Sequence, residues 1–126
     1  MELEHQAATE RIIKAFYRVY NKLGYGFLEK VYERAMAIEL GKLGLEASCQ
    51  HPIVVQYDGQ VIGEYFADIL VENLIVLELK CAVRITDAHE AQLLNYLKGT
   101  RAELGFVLNF GKKAEFLRKI YHNYYK

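Results

Sequence analysis

Phe66-Ala67-Asp68-Ile69-Leu70-Val71-Glu72-Asn73-Leu74-Ile75-Val76-Leu77-Glu78-Leu79-Lys80-Cys81 is the stretch that decides how this chain reads. It is the most apolar part of the sequence. Two runs rich in Ile, Leu and Val flank a turn at Glu72-Asn73, the pattern of two hairpin-linked strands in a buried sheet. Asp68, Glu78 and Lys80 interrupt it. A charge in buried sheet is costly unless something compensates it, so three in one hairpin call for a shared explanation. A divalent cation held by the two carboxylates, with the lysine beside it, supplies one.

Whether the acids can meet is a matter of register. Side chains alternate along a strand, so Glu78 and Lys80 share one face while Leu77 and Leu79 take the other. Asp68 meets Glu78 only if Val71 lies opposite Ile75 across a three-residue loop, Glu72-Asn73-Leu74. A two-residue turn at Glu72-Asn73 would put the acids on opposite faces unless a bulge corrected the phase. Brought together, two ionised carboxylates repel, and a hard cation such as Mg²⁺ or Mn²⁺ relieves that. The carbonyl of Leu79 could add a ligand. The plain alternative is an ion pair of Lys80 with either acid and no chemistry.

Toward the N-terminus the period changes from two to that of a helix. Glu4 to Leu23 carries Ile12, Ile13, Phe16, Tyr17, Val19 and Tyr20 at helical spacing, and Gly24-Tyr25-Gly26 breaks it. A second helix is expected from Phe27 to about Leu43, with Leu28, Val31, Tyr32, Ala35, Met36 and Leu40 as its apolar stripe. His51 to Tyr57 reads as a strand that turns at Asp58-Gly59 into Gln60–Val71. Toward the C-terminus, Asp87 and Glu90 suggest a capping box for a helix ending at Gly99. Leu104 to Phe110 is a short strand parallel to the one before it, and Lys113 to about Tyr124 reads as a terminal helix with Phe116, Leu117, Ile120 and Tyr121 inward. The expectation is one α/β domain over residues 1–126, ordered α-α-β-β-β-α-β-α around a mixed four-stranded sheet flanked by helices.

Bulk properties fit that reading. The chain has 126 residues, 52% hydrophobic and 25% charged, with 16 Lys+Arg against 16 Asp+Glu. Zero net charge gives no global positive field, so nucleic-acid binding needs a local patch or a metal. No apolar run approaches a membrane span and Met1 to His5 does not open a signal peptide, so a cytoplasmic protein without membrane association is expected. Cys49 and Cys81 are expected to be reduced, packed and inert.

Two further constellations stand out. Glu29, Tyr32 and Glu33 fall at i, i+3 and i+4 on the stripe face of the second helix. Either acid could instead be a favourable contact with the helix dipole or a surface partner of Lys30 or Arg34. Gln92 and Tyr96 lie one turn apart on the third helix, a neutral donor–acceptor pair suited to phosphate oxygens or an ammonium, or simply a core-edge pair. His89 is given no role.

Together these residues resemble the GxxExxY proteins, a branch of the PD-(D/E)XK nuclease superfamily. The naming motif is Gly26, Glu29 and Tyr32, with Glu33 following. The metal motif is Asp68 with Glu78-Leu79-Lys80, although Ala67 stands where the motif has its proline. Gln92 and Tyr96 match the Gln-x-x-x-Tyr helix of RecB-like nucleases, and Gly105 to Gly111 looks like the closing strand. The resemblance spans nearly the whole chain and implies a restriction-endonuclease-like core. It further implies that Asp68 and Glu78 bind Mg²⁺ (or Mn²⁺) and that Glu29 completes or orients that shell. Lys80 would position or deprotonate the attacking water, and Gln92 and Tyr96 would orient Lys80 or the scissile phosphate of DNA or RNA.

The activity so implied is metal-dependent phosphodiester hydrolysis. The rival is a catalytically silent module of the same fold that binds nucleic acid or protein. Lys112, Lys113, Arg118, Lys119 and Lys126, interleaved with Tyr121, Tyr124 and Tyr125, suit contact with a single strand, but the preferred reading is a terminal helix docking its aromatics inward with its lysines solvated. Exposed Tyr124 and Tyr125 suit a homodimer contact equally.

Overall fold

A computed structural model describes residues 2–126, with side chains from His5 onward. The reading of the first residues therefore lies largely outside the described side chains. Helix α1 (Glu2–Leu23) buries Ile12, Ala15, Phe16 and Val19, the i, i+3, i+4, i+7 face its spacing demands. Gly24, at φ 67°, ends it with its N–H on Tyr20 O (2.7 Å). Helix α2 (Glu29–Lys42) buries Tyr32, Glu33, Met36 and Leu40. Leu28 and Val31, expected in that stripe, are exposed instead. Leu28 is the extended N-cap residue, outside the helical period altogether.

Strands β1 (Ala47–Tyr57), β2 (Gln60–Val71) and β3 (Ile75–Lys80) form the expected antiparallel meander. Helix α3 (Asp87–Lys98) then crosses to β4 (Leu104–Phe110), which runs parallel to β3. The expected terminal helix does not form. Residues Ala114–Ile120 are a fifth strand, β5, antiparallel to β4, followed by one 3₁₀ turn, Asn123–Tyr125. The sheet accordingly has five strands in the order β1-β2-β3-β4-β5. Every residue of β4 is buried, so an unpaired edge there would strand its backbone groups. Phe116, Leu117, Ile120 and Tyr121 are good strand formers, and edge pairing overrides their helix-compatible spacing.

Two cores sandwich the sheet. Ile69, Val71, Ile75, Leu77, Leu79, Phe106 and Phe110 pack against α1 and α2. Leu70, Val76 and Val107 pack against Leu93 and Leu97 of α3. Burying a side chain of this size contributes ~1.5–3 kcal/mol. α3 can approach β4 closely because position 105 is glycine: a Cβ there would lie 2.7 Å from Leu93 Cδ1. Among the described residues no helix is long and apolar enough to cross a membrane.

Candidate active site

The site begins at the β2–β3 turn. Glu72 and Asn73 both sit at positive φ (54° and 57°), and Leu74 N–H closes onto Val71 O at 2.9 Å, a type I′ pattern. Leu74 is one residue more than that turn needs, and it restores the phase: Val71 pairs with Ile75 and Ile69 with Leu77. This is the register that sets Asp68 opposite Glu78.

The ladder stops there. β3 continues to Lys80 beside β4, whereas β2 stays with β1, so the two strands part at Asp68. Ile69 packs on the α1–α2 core and Ala67, two residues earlier, on the α3 core, so β2 rotates about Asp68. Across the gap the side chains take over the backbone's hydrogen bonds. Asp68 N–H donates to Glu78 Oε2 (3.3 Å), and Leu79 N–H donates to Asp68 Oδ2 (2.8 Å). One oxygen of each carboxylate is held by the opposite strand, and Glu78 also meets the Asp68 carboxylate and the Tyr96 hydroxyl through its side chain.

Glu78 is 3% exposed and Asp68 half-buried. Burial, then the negative charge of Asp68, pushes the Glu78 carboxyl up from 4.5 to about 9. At neutral pH Glu78 therefore holds its proton and the pair carries a single charge. Lys80, in phase with Glu78 on β3, offsets this only weakly. Neither ion pair of the plain alternative forms: among the described residues no hydrogen bond or salt bridge captures the Lys80 ammonium.

α3 supplies the next layer. Its N-cap is Thr86, whose hydroxyl accepts from His89 N–H while His89 Nδ1 accepts from Thr86 N–H. The capping box is thus Thr86–His89, not Asp87–Glu90, and His89 has a structural role where none was expected. Gln92 Nε2 donates to the Tyr96 hydroxyl (2.9 Å). The Tyr96 phenol is pushed upward, first by burial and then by the neighbouring Glu78. Its ring lies 4.4 Å from that of Tyr65, whose hydroxyl donates to Asn95 O. Gln92 and Tyr96 thus bond each other, and Tyr96 neighbours Glu78.

The α2 motif divides its labour. Gly26, at φ 111°, turns the chain into α2 where a side chain would be strained. Tyr32 is buried, stacks on Phe110 (4.1 Å), donates to Gly24 O (2.6 Å) and accepts from Phe27 N–H (3.3 Å), so it pins the loop that sets the start of the helix. Glu29 is exposed in the first turn, where its charge reaches the Cys81 thiol. Glu33 is the buried acid, held by Gln50 Nε2 (2.5 Å) and Lys30 Nζ (3.3 Å). Cys49 lies in the fields of both Glu33 and Asp68, which places Glu33 on the Asp68 side of the site. Both thiols are free, as expected, but exposed rather than packed. Cys49 precedes the irregular Gln50 (φ 53°), and Cys81 has already left β3.

Gln50 and Asn109 are the residues that reading the sequence missed, and Glu33, which it left open between the stripe face and a surface pairing, is buried. Asn109, fully buried beside Lys80, accepts from Ala82 N–H and donates to Ala82 O (2.9 and 3.0 Å), anchoring the chain where it leaves β3. An amide inside an otherwise apolar strand was its visible signal.

Among the described residues no group of three His, Cys, Asp or Glu side chains is gathered to enclose an ion. The donor set nevertheless fits Mg²⁺ or Mn²⁺. Mg²⁺ keeps most of its water and needs only one or two carboxylates, and a buried acid held neutral beside an aspartate is what a cation would ionise.

A family model described as the PD-(D/E)XK nuclease superfamily matches residues 6–120. The crystal structure of SSO0001 is similar in fold, with a TM-score of 0.60 at 18% identity over 74% of this chain. The match covers 50% of that protein, so the chain spans about half its length. No curated protein matches the sequence.

Proposed function

The chain belongs to the PD-(D/E)XK nuclease superfamily, and from that premise we propose that it is a divalent-metal-dependent nuclease hydrolysing phosphodiester bonds of nucleic acid. Asp68 and Glu78 would hold Mg²⁺ or Mn²⁺, and the ion, when bound, would supply Lewis-acid charge to the phosphate and lower the pKa of water. The observation that carries the reading is the clasp across the β2–β3 gap, which holds the two carboxylates side by side where the strands part.

The remaining groups act around that point. Glu78 would bind such an ion as its carboxylate, its proton passing to solvent. The ammonium of Lys80, free of hydrogen-bond and salt-bridge partners among the described residues, hydrogen-bonds the water or a phosphate oxygen and offsets charge that develops in the transition state. Gln92 and Tyr96 form a neutral wall that fixes Glu78 from the α3 side. From α2, Glu33 reaches the Asp68 side and Glu29 the Cys81 end, the two positions from which a helix acid can complete the shell. Placement in the GxxExxY branch is part of this proposal, supported by the loop-pinning role of Tyr32.

The test is cleavage of labelled DNA and RNA with Mg²⁺ or Mn²⁺ by the purified protein. Asp68→Ala and Lys80→Ala should each abolish it. Cleavage that survives both substitutions belongs to a contaminant and refutes the assignment. The silent module retains one supporting observation, the lack of a third gathered ligand among the described residues. It predicts nucleic-acid binding without any Mg²⁺-dependent turnover.

A further inference from the structure

The sheet face that carries Glu78 also opens a cleft of ≈ 880 Å³ between the β1–β2 hairpin and the C-terminal end of α3. Its walls include Gln56, Tyr65, Asn95, Lys98 and Arg101, two cations and two amides, with no acid among the lining residues. Arg101 has no acidic partner among the described residues, and Lys98 meets only the face of Tyr121, 5.6 Å from the ring centre. In a chain of zero net charge this is a local concentration of uncompensated positive potential. Tyr65 links the cleft to the acidic pair: it lines the cleft, stands 4.4 Å ring to ring from Tyr96, and Tyr96 in turn neighbours Glu78.

We propose that this cleft is the track for one single strand of nucleic acid on one side of the scissile phosphate. Lys98 and Arg101 neutralise its phosphates, and Tyr65 offers a ring to its bases. The assignment rests on the nuclease reading and gives that reading a substrate class. A cleft of this volume is on the scale of those that take small molecules, room for a few nucleotides and not for a duplex whose major groove alone is ~12 Å wide. Rings beside paired cations are what an unstacked strand uses, whereas bases inside a duplex present no free face.

Fluorescence anisotropy of a 5′-fluorescein 20-mer of single-stranded DNA, in EDTA across a salt series, reads this contact without turnover. Lys98→Glu/Arg101→Glu should weaken binding by about tenfold or more, and the log K against log salt slope should flatten by ~1.4, at ~0.7 per phosphate on a single strand. Arg11→Glu/Lys14→Glu, the same charge change on exposed α1 across the sheet, should leave both quantities unchanged. A Tyr65→Leu variant should lose affinity with no change in slope, since it removes a ring and no charge. The proposal is overturned if the cleft variant binds like wild type, if the α1 variant loses as much, or if the matching duplex binds as tightly as the single strand. Turnover is scored separately with bis(p-nitrophenyl) phosphate and Mn²⁺: wild type failing to cut it removes the nuclease reading, while the cleft stands or falls on the anisotropy.

Discussion

Glu78→Gln should stabilise the metal-free protein, and by an amount that grows with pH. The native carboxyl titrates at about 9 against 4.5 for an unrestrained glutamate. Between those values the native state holds a proton that the unfolded chain has released, so stability falls as pH rises. It is fully present below 4.5 and lost through 9. At ~1.4 kcal/mol per pH unit, the span from 4.5 to 7 amounts to about 3–4 kcal/mol at pH 7. Glutamine keeps an acceptor for Asp68 N–H and carries no titrating group, so that loss disappears. Urea unfolding in EDTA at steps from pH 5 to 9 checks this. The difference between variant and wild type should widen steadily across the range, other titrations cancelling. Parallel curves would refute the reasoning, because Glu78 would then already be ionised in the fold. The same linkage makes metal binding release a proton, so apparent Mg²⁺ affinity should rise about tenfold per pH unit up to about 9.

Glu33→Gln should cut kcat far more than Glu29→Gln does, because only Glu33 is buried on the Asp68 side; steady-state kinetics on a labelled oligonucleotide compare them. Tyr32→Phe removes a bond to Gly24 O and another from Phe27 N–H and should cost about 1–2 kcal/mol in a thermal melt while leaving the Phe110 stack intact. Asn109→Ala leaves the N–H and C=O of Ala82 unpaired at the exit from β3, a loss of ~2–4 kcal/mol measurable by urea unfolding.

Where one residue's own chemistry announced its surroundings, the sequence was legible. The apolar runs either side of Glu72-Asn73, the Asp58-Gly59 turn and the charges inside Phe66–Cys81 pointed to the meander, and to Asp68 facing Glu78 provided the loop held three residues. What stayed hidden depended on partners distant in the chain. The spacing Phe116, Leu117, Ile120, Tyr121 suits a helix or a strand, and only the unpaired edge of β4 decides between them. Glu33 stayed open between a stripe-face acid and a surface partner of Lys30 or Arg34 because Gln50, which holds it, is 17 positions away on an irregular strand. Helical periodicity placed Leu28 in the core, yet the residue precedes the helix and lies exposed. The Thr86–His89 cap was missed because a histidine ring nitrogen fills the place usually read for Glu or Gln.

A crystal soaked in Mn²⁺ and measured at the manganese edge tests the central claim most directly. An anomalous peak in contact with both Asp68 and Glu78, lost in Asp68→Ala, is the predicted result. Manganese bound elsewhere, with bare density between those two carboxylates, would contradict it.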